Sequence, residues 1–164
     1  KKSQITFLEG YLWDEGDPKK AFNKAIECSN KVAMSLSDLF CVERHKSQFL
    51  ELVKNKLDIV FANEQEILSL IKSKSFNDVI SFSKELNKTI VITRGEEGAL
   101  AINKNEVIEC SAKKNLKIKD LTGAGDLFAA GYLHGFINKF STKDCLEKGT
   151  ALSSTIIQKL GARI

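Results

Sequence analysis

The run Asp120-Leu121-Thr122-Gly123-Ala124-Gly125-Asp126 carries the sharpest chemical signal in the chain. Gly123, Ala124 and Gly125 stand where a polar loop gives way to an apolar run, Leu127 to Phe136, that reads as a buried helix. Small residues at a helix N-terminus let an anion approach free backbone N–H groups, and the helix dipole favours negative charge there. A carboxylate beside a phosphate repels it, so Asp126 calls for a chemical reason. It can accept the proton of a hydroxyl that attacks a phosphoryl group. The same stretch also reads as a plain loop, with glycine for a tight turn and Asp126 as a helix cap. It is not a Walker A loop, because no Gly-Lys-Ser/Thr follows the glycines.

Two further clusters lie at the ends of apparent strands, where ligands bind in open α/β sheets. Asn63-Glu64-Gln65-Glu66 follows the apolar run Asp58 to Ala62, and positions 63 and 66 share one face of a helical turn. An amide and a carboxylate there can hold a hydrated magnesium ion and its phosphates. The simpler reading is an Asn N-cap with Glu66 completing a capping box. Thr93-Arg94-Gly95-Glu96-Glu97-Gly98 ends another strand, and its backbone and the Thr93 hydroxyl can touch a nucleotide phosphate. Taken alone it is an ordinary loop leading into a hairpin.

The elements that must position these residues alternate. Strands are expected at Ile5 to Leu8, Val32 to Leu36 (closed by Ser37-Asp38), Asp58 to Ala62 and Thr89 to Thr93, with a hairpin from Ala99 to Cys110 about Asn103-Lys104-Asn105. Between them, Asp17-Pro18 reads as an N-cap and first helical residue, leading into a helix with Ala21, Phe22, Ala25 and Ile26 on one face. Further helices are expected at Arg44 to Lys54, from Asn63 onward, at Phe76 to Leu86, and from Thr142 to Leu160 with Gly161 as C-cap. Alternating strands and helices predict an α/β fold with a mostly parallel sheet and helices on both faces. No linker or internal boundary interrupts the chain. Trp13 reads as packing or as the lining of a pocket, and Phe40 and Arg44 follow a strand end that can face a substrate.

Composition narrows the function classes. Of 164 residues, 43% are hydrophobic and 28% charged, with 10 Gly and 1 Pro, which excludes disordered and low-complexity chains. No apolar run approaches the roughly 18 residues that span a bilayer. The net charge of +4 comes from scattered lysines, without the basic face of a nucleic-acid binder. The 4 cysteines form no C-x-x-C pair, and the 2 histidines are far apart, so neither suggests a metal site. The cysteines are expected to be reduced core residues, and these together with a charged start without an apolar leader are expected of a cytoplasmic protein. A dinucleotide-binding oxidoreductase is disfavoured, since no G-x-G-x-x-G follows the first strand.

Three motifs in series, NEQE at 63–66, TRGEEG at 93–98 and DLTGAGDLFAAGYL at 120–133, resemble the ribokinase-like, PfkB-type family of sugar and nucleoside kinases. The last motif is the specific one, and the resemblance covers essentially the whole chain. FLEGYLWD at 7–14, LSDLFCVERH at 36–45 and IIQKLGAR at 156–163 look most like its bacterial adenosine-kinase-like branch. The resemblance implies a Rossmann-like three-layer αβα ribokinase-type fold and an ATP-dependent phosphotransferase acting on a primary hydroxyl of a nucleoside or sugar. Adenosine is favoured; the alternatives are a fructokinase- or ribokinase-like sugar kinase, or a catalytically silent nucleotide-binding fragment. It further implies Asp126 as catalytic base and Gly123, Ala124 and Gly125 as anion hole. Thr93, Gly95, Gly98 and Asn63 would lie along the nucleotide, and Glu66 would position Mg2+ through water. Asp120 and Thr122 match a monovalent-cation site, for K+, although Leu121 departs from the small or β-branched residue more usual between them. Family members run to about twice this length, so residues 1–164 are expected to be the C-terminal, nucleotide-binding part of a single kinase domain, with the N-terminal half and lid absent. Such a half is expected to bind ATP weakly, to phosphorylate nothing alone, and to associate as a homodimer or with the absent half.

Overall fold

The computed structural model describes residues 3–13, 16–104 and 106–163. In chain order they form β1 (Thr6–Glu9), α1 (Asp17–Cys28), β2 (Val32–Ser35), α2 (Leu39–Asn55), β3 (Ile59–Asn63), α3 (Glu64–Ile71), α4 (Phe76–Glu85), β4 (Thr89–Thr93), β5 (Ala99–Asn103), β6 (Glu106–Cys110), α5 (Ala124–Ile137) and α6 (Thr142–Ile156). The strands hydrogen-bond in chain order from β1 to β6. β1, β2 and β3 are parallel, with Thr6 opposite Val32 and Ala33 opposite Ile59. β5 and β6 are joined by so short a link that they run antiparallel. The sheet is therefore mixed, as the alternating pattern and terminal hairpin lead one to expect. Lys104 turns the hairpin at φ +52; Asn105, the third residue expected there, lies outside the described residues.

By backbone contacts the chain divides into two compact units, Lys1–Ile92 with Ile102–Glu106, and Thr93–Ala101 with Val107–Ile164. In the first, β2 and β3 are continuous apolar runs because both their faces are covered. Ala33, Met34, Ile59 and Val60 are all buried. Burying a side chain such as Phe49 or Ile59 fully is worth about 1.5–3 kcal/mol. Two expectations are corrected here. The cap of α1 is Gly16, at φ +89, and Asp17 is already helical; its carboxylate instead pairs with Lys20 at 3.1 Å. Of the four residues expected on the inner face of α1, only Phe22 is fully buried, and Ala21 is exposed. Trp13 packs edge-on against Phe22 at 4.7 Å between ring centres and is buried, which favours the packing reading. Helix α2 begins at Leu39, ahead of the expected Arg44, because Asp38 caps it; it bends at His45.

In the second unit α5 and α6 pack closely through glycine. A Cβ on Gly131 would meet the Lys148 carbonyl at 2.7 Å and the Gly149 Cα at 2.8 Å. The apolar run predicts an α5 buried all round, but α6 covers only one side. Phe128, Ala129, Tyr132 and Leu133 are buried, whereas Asp126, Ala130, His134 and Ile137 are exposed. Helix α6 ends at Ile156 with Ile157 as C-cap, short of the expected Leu160 and Gly161. The Ile157 carbonyl accepts the N–H groups of Lys119 and Asp120, at 2.8 and 3.3 Å, and so is turned to another partner than a following helical turn.

Candidate active site

The first unit contributes a polar cluster at the C-terminal ends of its parallel strands. Asn63 ends β3 and caps α3. Its Oδ1 accepts from Glu66 N at 2.9 Å, while the Glu66 oxygens accept from Asn63 N at 2.9 Å and Asn63 Nδ2 at 2.6 Å. The capping box is thus present. It does not exhaust Glu66, because a carboxylate has about four lone-pair directions. The side chain is 4% exposed and makes no ion pair among the described residues. Burial pushes its carboxyl above the ordinary range, the Asn63 N–H pulls it back, and the charge of Asp38 adds to the rise.

Asp38 and Tyr11 belong to the same cluster, and nothing in the sequence links the two. Asp38 accepts from Cys41 N at 2.7 Å and from the Tyr11 hydroxyl at 3.2 Å. The Cys41 N–H is the main reason its carboxyl lies below the ordinary range. Desolvation, and then the bond to Asp38, push the Tyr11 hydroxyl up to about 12. Ser37, just before Asp38, adopts φ +76, rare for a residue other than Gly, Asn or Asp. Its hydroxyl donates to Glu9 Oε2 and accepts from Tyr11 N, both at 3.3 Å. A serine-aspartate pair at a strand end is a visible N-cap signal, but its partnership with Tyr11 is not. Hard oxygen donors with surplus negative charge suit a hydrated Mg2+ held by one or two carboxylates and completed by water and phosphate. Among the described residues no three His, Cys, Asp or Glu side chains gather into a metal cage.

The second unit holds the remaining candidates. The first turn of α5 has N–H groups with no acceptor inside the helix; no side chain caps them, and that of Ala124 donates to the Leu121 carbonyl at 3.1 Å. Gly123 enters the helix at φ +77, a conformation that favours glycine. A Cβ built on Gly125 meets nothing within 4 Å outside its chain neighbours and its own helix backbone, so the outer side of this residue is open. Asp126 does not cap the helix, against that part of the simpler reading; it is exposed on the first turn. Asp120 Oδ1 accepts from Thr122 N at 2.9 Å and Thr122 Oγ1 at 2.7 Å, and Oδ2 accepts from Gly161 N at 2.9 Å. These bonds, Thr122's first, hold the Asp120 carboxyl below its ordinary range.

Thr93 closes β4, and Gly95 follows at φ +56 with open space where a Cβ would be. Gly98 is required by packing, since a Cβ there would lie 2.1 Å from the Cys110 carbonyl oxygen. Arg94 N donates to the Gly98 carbonyl at 2.8 Å, closing the loop, and the Arg94 guanidinium pairs with Glu97 at 2.6 Å. A cleft of about 50 Å³ beside it, lined in part by Arg94, Glu109, Cys110 and Ser111, is far smaller than a ligand pocket of roughly 300 Å³ or more. Phe40 is 67% exposed. None of the four cysteines is in a disulfide; Cys41, Cys110 and Cys145 are buried as core residues, whereas Cys28 is exposed, against the expectation of a core position. Among the described residues no helix is long and apolar enough to cross a membrane.

The helix start without a side-chain cap and the exposed carboxylate of Asp126 thus stand side by side on an α/β scaffold. A family model described as pfkB family carbohydrate kinase matches residues 1–164, and the chain belongs to that family. Adenosine kinase from Sinorhizobium meliloti is 36% identical, with a TM-score of 0.95 over 99% of this chain and 51% of that one. Cytidine kinase from Thermococcus kodakarensis is 29% identical over 118 residues, 71% of this chain and 42% of its own length. Fructokinase from Vibrio cholerae, solved with fructose, ADP and calcium ion bound, is 20% identical with a TM-score of 0.85 over 98% of this chain and 56% of that one, and shares the fold. The chain thus spans about half the length of the relatives it matches.

Proposed function

We propose that the protein carrying this chain transfers the γ-phosphoryl group of ATP to a primary hydroxyl of a nucleoside or sugar, with adenosine as the favoured acceptor. One observation carries the reading: the uncapped start of α5, open at Gly125, stands immediately beside the exposed carboxylate of Asp126. The backbone of Gly123, Ala124 and Gly125 stabilises the charge on the transferring phosphoryl oxygens, chiefly through the N–H groups of Gly123 and Gly125, since that of Ala124 already donates to the Leu121 carbonyl at 3.1 Å. Asp126 takes the proton of the acceptor hydroxyl as its oxygen bonds to the γ-phosphorus and the bond to the ADP oxygen breaks. Thr93 and Gly95 lie along the nucleotide, Gly95 through its open side. Asn63 and Glu66, with Asp38 behind them, are the residues to hold Mg2+. That ion, when bound, neutralises phosphate charge. For K+ the local geometry offers less, because Asp120 already accepts two hydrogen bonds from Thr122 and one from Gly161, against about four lone-pair directions of a carboxylate.

The identity with the Sinorhizobium meliloti enzyme, over nearly the whole chain, supports a nucleoside acceptor. Domain organisation follows the same reading: residues 1–164 are the nucleotide-binding part of one kinase domain whose acceptor-binding groups come from elsewhere in the full-length protein. The test is an acceptor panel of adenosine, cytidine, ribose and fructose with ATP on the full-length protein, read by mass spectrometry of the phosphorylated product. Adenosine monophosphate as the dominant product is expected. Phosphorylation of a free sugar alone would move the substrate to the other branch, and no product with any hydroxyl acceptor would overturn the reading.

A further inference from the structure

The segment after α6 folds back onto the loop that opens α5. The Ile157 carbonyl accepts from Lys119 N and Asp120 N. The Gly161 N–H reaches across 41 positions of sequence to Asp120 Oδ2 at 2.9 Å. Ala162 sits against the bare Cα of Gly123, where an added Cβ would come within 2.9 Å of the Ala162 Cβ and 3.1 Å of its Cα. Asp120 Oδ1 is meanwhile fixed by both donors of Thr122. Gly161 adopts φ +80, and a Cβ there would meet nothing within 4 Å. Its glycine is therefore required by backbone conformation alone and not by crowding. That conformation aims its N–H at Asp120.

We infer that Ile157–Ala162 is a positioning clasp for the anion hole, in which the Gly161–Asp120 bond and the Ala162–Gly123 contact set where the first N–H groups of α5 point. The inference rests on the assignment of Gly123, Ala124 and Gly125 to the transferring phosphoryl group. Gly161 touches no reacting atom in this scheme; it acts through Asp120 and Gly123. The loop's own bonds, Thr122 to Asp120 and Ala124 N to the Leu121 carbonyl at 3.1 Å, run only within residues 120–124. The clasp ties the loop to the segment that follows α6. Misplacing catalytic groups by about 1 Å can cost on the order of 10²-fold in rate.

The test uses three variants of the full-length protein, with kcat, acceptor KM and Tm measured for each. Gly161→Ala challenges only the backbone angle, and is expected to lower kcat between about 10- and 100-fold with acceptor KM and Tm close to the parent. Gly161→Asn keeps the N–H and tolerates the left-handed region, so it should restore a rate near the parent's. Ala162→Gly removes the methyl that seats Gly123 and should also lower kcat at unchanged Tm; it carries the test if Gly161→Ala does not fold. A parent-like kcat in Gly161→Ala, or losses in Gly161→Ala and Gly161→Asn alike that follow Tm, would overturn the clasp. Asp126→Asn separates the two levels. If it is inactive while Gly161→Ala is fully active, only the clasp fails. If it is itself fully active, the assignment of the site fails and the clasp with it.

Discussion

Gly125 offers a substitution whose effects on stability and on activity should have opposite signs. The residue lies in the first turn of α5, and no positive φ demands glycine there. A Cβ at this position meets no atom within 4 Å outside its chain neighbours and its own helix backbone. Replacing a helical glycine by alanine in such a place should stabilise the fold by about 0.5–1 kcal/mol, because the unfolded chain loses freedom and nothing in the native state is crowded. In the proposed reading, however, a phosphoryl oxygen approaches the backbone through that open space. A side chain there keeps the N–H but denies it its acceptor, and losing one donor of an oxyanion-type site costs on the order of 10²–10³ in kcat. Gly125→Val, which fills more of the space, should lose at least as much. The assay pairs ADP release by the full-length protein with thermal unfolding of each variant. Gly125→Ala should melt at or above the parent temperature with a sharply reduced kcat. A Gly125→Val variant that folds and transfers phosphate at the parent rate would refute the idea that this loop cradles phosphate.

Gly131→Ala should do the reverse, since its Cβ would press on the Lys148 carbonyl at 2.7 Å. Overpacking of about 1–3 kcal/mol outweighs the gain in helix propensity of about 0.5–1 kcal/mol, and denaturant unfolding should show a net loss with the active-site residues untouched. Asp38→Ala removes the cap of α2, which should cost about 1 kcal/mol, while Asp38→Asn, an equally good cap, should cost less. Because the folded carboxyl of Asp38 lies below its ordinary value of 3.8, its charge stabilises the fold above that pH and the benefit fades as pH falls through the lowered value. The gap in unfolding free energy between parent and Asp38→Asn should therefore shrink below about pH 3.8, and a gap independent of pH would contradict the assignment.

What was legible in the sequence was local. The β-rich run Thr89–Thr93 is a strand at those bounds because β-branched residues fill it and Gly95 follows. The Asn63-to-Glu66 spacing announced a capping box, and the glycines at 123 and 125 announced the open helix start. What escaped was set by partners distant in sequence. The Tyr11–Asp38 bond spans 27 positions and the Gly161–Asp120 bond 41. No periodicity encodes either one. The end of α6 departs from the sequence pattern for the same reason, since apolar residues continue to Leu160 but the Ile157 carbonyl turns to Lys119 and Asp120. Gly98 and Gly131 show the converse. Each is a plain glycine in the sequence, and only the backbone it approaches reveals why no larger residue fits.

The central claim is that Asp126 is the base for a hydroxyl acceptor, and Asp126→Asn in the full-length protein tests it most directly. The amide keeps the shape and removes the proton acceptor, and Asp126 is exposed and caps nothing, so the fold should be preserved. General-base loss should lower kcat by on the order of 10²–10⁴. ATP affinity, measured by calorimetry on the same preparation, should stay level or rise slightly, because a negative charge beside the phosphates is gone. A low kcat with intact ATP binding is the predicted result, and a kcat near the parent's would contradict the account.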